Sequence, residues 1–386
     1  MLKRSFALAV VLVMIVSLFA GCSQKPAEGT AEPIKIGTVG PLSGGAAMVG
    51  DTQVKGIQLA IDQFNEAGGI HGRELVLIQE DDEQNPAKSV SAMNKLVHND
   101  NVIAVIGTVN SSATLANMEV TKEAEVPQIT AISSNPKITL AGNPWIFRLQ
   151  ASDTHQCEAI VNYALDELGL ERIAIMYQSD DYGTGGKDVA VELLQARGIE
   201  PVAVEAYDPN AKDMTAQLLK VKEGNPQALI MWTMYQQGAL IARQARQMGL
   251  SDVVLMGGGG LTNAKLYELA GDAVVGLLNS QTFFPDKENA SPVAKEFIEA
   301  YEEKFGMLPD SNAAMSYDSM LILGEAMKAA GPDLDNVAIR DAIAATTNFP
   351  GATGVINIDE NGDANRDMLI IGVTGDGGYE VVWQPE

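Results

Sequence analysis

Little in this chain of 386 residues suits catalysis, metal binding or a disulfide framework. It has two cysteines, Cys22 and Cys157, so with Cys22 modified no internal disulfide is expected. Its three histidines, His71, His98 and His155, fall in different segments, and no His/Cys/Asp/Glu grouping has metal-ligand spacing. No nucleophile–base constellation stands out, so an enzyme is not expected. Basic residues are scarce, 26 against 50 acidic ones, for a formal charge of -24. Nucleic acid and anionic lipid surfaces would repel such a chain. A local site for a small anion is not excluded.

The one conspicuous uncharged run is N-terminal. Lys3 and Arg4 precede Ser5 to Ala20, which carry no charge, and Ala20-Gly21 lead into Cys22. That is the layout of a secretory signal rather than a persistent membrane span. Leu18-Phe19-Ala20-Gly21-Cys22 resembles the bacterial lipobox, with Phe19 where Leu is usual. The resemblance implies cleavage after Gly21, lipidation of Cys22, and a Pro/Gly/Ser-bearing tether over residues 22–33.

Beyond the tether, strands and helices alternate. Ile34–Gly40, Leu75–Ile78, Val102–Ile106 and Pro127–Ile132 read as strands, and helices fill the intervals, the first over about Asp51–Ala67. Gly68-Gly69 suits its C-terminal stop. The same construction resumes after Arg148: strands at Arg172–Tyr177, Pro201–Ala206, Leu229–Trp232 and Val253–Met256, and a closing hairpin over Met368–Val373 and Tyr379–Trp383. The pattern predicts an α/β protein with two doubly wound parallel-sheet lobes. In such sheets ligands bind beyond the carboxyl ends of the strands.

The central stretch is Val102 to Ala116. A buried strand runs into Asn110-Ser111-Ser112, three helix-capping residue types, and a second serine turn, Ser133-Ser134, follows the next strand. Hydroxyls and helix-terminal N–H groups gathered there would suit a carboxylate. The acids of Glu80-Asp81-Asp82-Glu83 are read as residues favoured near a helix N-terminus, not as a metal site. Gly257 to Gly260 lack the Lys-Ser/Thr of a phosphate loop.

Several motifs together resemble the branched-chain amino-acid-binding proteins of bacterial ABC importers, the type I periplasmic binding fold. They are Gly40-Pro41-Leu42-Ser43-Gly44, Asn65 to Arg73, Asp81 to Pro86, Asn135-Pro136, Asp181-Tyr182-Gly183, Arg243-Gln244-Ala245 and Asp359 to Asp363, and the resemblance spans about residues 34–383. It implies two lobes on a hinge: residues 34–151 plus 281–354, and 152–280 plus 355–386. It implies a carboxylate held by Asn110, Ser111, Ser112, Ser133 and Ser134, with the Ile132 carbonyl near the amine. Tyr182, Met234, Tyr235 and Gly259 would come from the second lobe, and Trp232 has equal claims as core. No cofactor or metal is implied; the partners would be a permease in the membrane and a small solute. One departure stands out. Members that bind amino acids tend to carry an acid after the strand matching Val253–Met256, where this chain has Gly258-Gly259-Gly260. Either Asp180, Asp181 or another acid serves the ammonium, or the solute has no amine. An amine-free carboxylate or amide, and a sensor role toward a membrane receptor, stay open as alternatives.

Overall fold

The computed structural model describes residues 32–385. The lipobox, Cys22 and most of the tether lie outside them. The first sheet is wholly parallel, ordered β2-β1-β3-β4-β5: β1 Ile34–Gly40, β2 Leu75–Asp81, β3 Ala104–Gly107, β4 Gln128–Thr130 and β5 Ile146–Arg148. β3 and β4 are buried along their whole length, as apolar strands covered by helices on both faces must be.

The second sheet is ordered β15-β14-β10-β9-β8-β6-β7. Its parallel part comprises β6 Ile173–Gln178, β7 Ala203–Tyr207, β8 Ala228–Trp232, β9 Val254–Gly257 and β10 Leu278–Gln281. The hairpin β14 Leu369–Val373 and β15 Tyr379–Trp383 adds antiparallel strands beside β10. Strand β10, with its polar Asn279-Ser280-Gln281, has no apolar run to betray it in the sequence.

A third, antiparallel sheet joins β11 Phe349–Gly351, β12 Gly354–Ile358 and β13 Ala364–Asn365. The expected division between residues 354 and 355 falls inside β12, and Ile356 is buried in the core of the first sheet. The chain rejoins the second sheet at Leu369.

Helices Pro292–Phe305 and Ser311–Ala330 come late in the chain yet pack on the first sheet. Phe297 stacks against Tyr317 with centroids 4.7 Å apart, and both belong to that core. Helix Ala47–Glu66 lies against Ser311–Ala330 so closely that a Cβ on Gly56 would run into the Ala313 carbonyl. This helix begins four residues before the expected Asp51.

The acids at the end of β2 and just beyond it do not cap a helix N-terminus. Asn85 caps helix Pro86–Asn94 through the Ala87 and Lys88 N–H groups. Asp82 is fully buried and accepts from the Thr108 hydroxyl at 2.6 Å and the Gln84 N–H at 2.9 Å, while Asp81 accepts from the Leu42 and Glu83 N–H groups. These two carboxylates fasten loops, because the turn carries Asn85 into the cap position first. Cys157 is a buried free thiol, and Trp232 is wholly buried in the second lobe's core. Among the described residues no helix is long and apolar enough to cross a membrane.

Candidate functional site

The carboxyl ends of both sheets face one cleft. Asn110, after β3, is the N-cap of helix Ser111–Glu123, and its Oδ1 accepts from the Ser112 and Ala113 N–H groups. Those donors are therefore engaged by the cap and are not free for an anion, contrary to the expectation for this turn. The Asn110 amide instead donates across the cleft to Asp180 at 3.2 Å. Further bonds join the lobes nearby: the Asp181 N–H donates to the Ser112 hydroxyl, the Asn135 amide to the Asp181 carbonyl, and the Tyr235 hydroxyl and Gln236 amide to the Gly45 carbonyl at 3.0 and 2.8 Å.

Inside this seam lies a small cavity of about 30 Å³. Asn110, Ile132 and Ser134 line it from the first lobe, with Val49, Val109 and Asn312 beside them. Tyr182, Met234, Gly259, Gly260 and Thr262 line it from the second, and Gln150 and Gln156 from the crossing region. The other expected residues lie elsewhere. Ser111 is buried and accepts from the Asn135 N–H. Ser133 donates back to the Thr108 and Val109 carbonyls, so it ties the two turns together rather than facing a solute. Ser112 and Tyr235 line the wider outer mouth. Successive residues of a turn point in different directions, so Ser133 and Ser134 take opposite roles.

Among the described residues no acid lines the cavity. Asp180 is the N-cap of helix Asp181–Ala196, accepting from the Gly183 N–H at 2.9 Å and from Gln178 at 2.7 Å. Burial raises its carboxyl, against the lowering effect of those bonds. Asp153, which follows the crossing after β5, is fully buried behind Ser134. Desolvation pushes it up to about 7, opposed by the Ser134 hydroxyl, Arg148 and the Trp232 indole N–H. Asp180 is thus occupied by the protein's own groups, whereas Asp153 receives the Trp232 N–H on Oδ1 and has no partner on Oδ2 among the described residues.

The glycine run has a steric cause. A Cβ on Gly258 would lie 2.8 Å from the Trp232 ring, and one on Gly260 would lie 2.5 Å from the Tyr182 hydroxyl and 2.7 Å from the Thr233 carbonyl. At Gly259 nothing comes nearer than 3.2 Å. Gly260→Ala is expected to lower stability by about 1–3 kcal/mol and Gly259→Ala by clearly less. Urea denaturation of the pair checks this, and equal losses would refute the assigned contact.

Arg148, at the end of β5, was not expected to matter beyond marking where the cycle restarts. It is fully buried, and each of its five N–H groups is used: two on the Asp363 carboxylate at 2.7 and 2.8 Å, two on the Ser134 and Asn135 carbonyls at 2.8 and 2.6 Å, and one on Thr139 at 3.2 Å. It fixes the serine turn from behind and ties it to the segment that returns toward the second lobe. Gln150, Gln156, Thr262 and Asn312 were likewise missed. Nothing local marks a glutamine or asparagine as facing a cavity.

Two lobes of parallel sheet, joined by crossing segments and enclosing a small polar cavity at their strand ends, define a solute-binding protein. The family model described as periplasmic binding protein matches residues 33–378, and the chain belongs to that family. It is similar to the leucine-, isoleucine-, valine-, threonine- and alanine-binding protein of Pseudomonas aeruginosa, at 30% identity over 96% of this chain and 95% of the relative. A leucine-binding protein from Thermotoga maritima superposes with a TM-score of 0.85 at 32% identity, covering 91% of this chain and 98% of that one. An ABC-transporter solute-binding protein from Rhodopseudomonas palustris in complex with 3,4-dihydroxybenzoic acid superposes with a TM-score of 0.80 at 25% identity, covering 91% and 96%. The chain is an exported solute-binding protein of this family.

Proposed function

We propose that this protein is the solute receptor of an ABC importer, capturing a small carboxylate-bearing solute between its lobes and presenting the closed form to the permease. The observation that carries this is the inter-lobe cavity itself, with Asn110 and Ser134 on one wall and Tyr182 and Met234 on the other. The lobes are residues 34–151 with the later helices, and 152–280 with the terminal hairpin, swinging about the crossings. Closure exchanges water for solute contacts and gives the permease a distinguishable shape. Cys22 carries the lipid that holds the receptor at the membrane.

The names of the relatives favour an aliphatic amino acid. A second reading, an amine-free carboxylate, is supported by the absence of any acid on the cavity wall among the described residues, because a buried ammonium without a counter-charge is costly. A thermal-shift panel of leucine, isoleucine and valine against matched amine-free acids tests both. Solute at about 100 times its dissociation constant adds about 2.7 kcal/mol. Ser134→Ala is expected to weaken binding by about 1–3 kcal/mol, whereas Ser133→Ala would act mainly on stability. Titration calorimetry separates them, and unchanged affinity in Ser134→Ala would sink this carboxylate site.

A further inference from the structure

The wall of the cavity contains a polar side chain that the protein itself does not use. Gln150 is 7% exposed and lines the cavity, and among the described residues its amide makes no hydrogen bond. It is nonetheless rigidly presented. Arg148, two residues before it, is held by five hydrogen bonds. On Leu149, the N–H donates to the Thr130 carbonyl and the carbonyl accepts from Arg366 at 2.9 Å. On the other side, the Ala151 carbonyl accepts from Gln156 at 2.8 Å. Asn312, in the first turn of helix Ser311–Ala330, lines the same cavity.

A primary amide offers two donors and an acceptor. Once a solute fills the cavity and excludes water, these must be met by the solute or left stranded, and a buried polar group without a partner is penalised. A branched aliphatic side group offers them nothing. A carboxamide matches them donor to acceptor and acceptor to donor.

We propose that Gln150, with Asn312 beside it, is a specificity residue that reads an uncharged hydrogen-bonding group on the solute, so that the preferred solute is a small carboxylate bearing an amide. This rests on the reading of the cavity as the solute site and is independent of whether the solute also carries an amine.

Two isosteric pairs isolate the effect. Leucine and asparagine differ in an isopropyl against a carboxamide, and 4-methylpentanoate and succinamate repeat that difference without the amine. Titration calorimetry on the protein with its signal and tether removed is expected to give at least ten-fold tighter binding for the amide in whichever pair binds, a floor well below the roughly 10⁴-fold by which sites built to hydrogen-bond can reject analogues lacking the group. Gln150→Leu is expected to abolish that preference while retaining the thermal midpoint. If it fails to fold, Asn312→Leu, on a different element, takes its place and is expected to shrink the preference. Tighter binding of the apolar member, or a preference unmoved in the variant, would overturn the proposal and leave the solute-receptor reading standing. Failure of all four compounds to bind would overturn both.

Discussion

Replacing Arg148 with methionine is expected to lower stability by about 3–5 kcal/mol, the range for removing one partner of a buried charge pair. The buried guanidinium holds Asp363, whose side chain is only 17% exposed, and it also satisfies the carbonyls of Ser134 and Asn135. Methionine fills much of the volume but leaves a carboxylate and two buried carbonyls without their donors. Lysine keeps the charge but cannot reproduce a planar fork, so Arg148→Lys is expected to lose a substantial part of the same stability. The two substitutions are compared by urea denaturation. The pair Arg148→Met and Asp363→Leu together should cost less than Arg148→Met alone, because no charge is then left unpaired. A loss below about 1 kcal/mol in Arg148→Met, within the range of an exposed ion pair, would contradict this account of the network.

The second large effect is on pH dependence. Asp153 holds its proton up to about pH 7 in the folded protein, against an ordinary aspartate value of 3.8. Desolvation is the dominant cause, and the Trp232 indole N–H, 3.2 Å from Oδ1, only partly offsets it. Between about pH 4 and pH 7 the unfolded chain therefore binds fewer protons at this site than the folded one. Stability falls as pH rises through that window and is independent of this group above it. The full difference is worth about 4 kcal/mol. Asp153→Asn keeps an acceptor for Trp232 and carries no charge at any pH. It is expected to flatten the profile between pH 4 and 7 by that amount and to be the more stable protein at pH 8. Free energies from urea denaturation at pH 5, 6, 7 and 8 provide the check. A slope identical in the two proteins would mean that Asp153 is ionised throughout. Burial also raises Asp82 and Asp318, in the same direction, so the difference between the two profiles is the quantity to read.

The sequence by itself determined the alternation of strands and helices, because apolar runs bounded by glycine and polar turns can be read one segment at a time. It also placed the loops after β3, β4, β6, β8 and β9 at one end of the sheets, since in a parallel sheet every strand ends on the same side. The glycine run after β9 was visible, but its cause was not. Only the packed structure brings the Trp232 and Tyr182 rings to within a Cβ's reach of Gly258 and Gly260. Ser133 and Ser134 are indistinguishable as letters. The fold points one at the carbonyls of a neighbouring turn and lets the other line the cavity, because adjacent backbone positions in a turn face different ways. Asp180 and Asp181 were candidates for an ammonium until the helix start claimed them for its own cap and first turn. Gln150, Gln156 and Asn312 come from the bend after β5 and from two helices that begin far apart in the chain. Their convergence on one cavity is a property of how the lobes meet, and no local pattern encodes that: the Gly259 N–H holds the Gln156 amide, and Arg366 holds the Leu149 carbonyl beside Gln150.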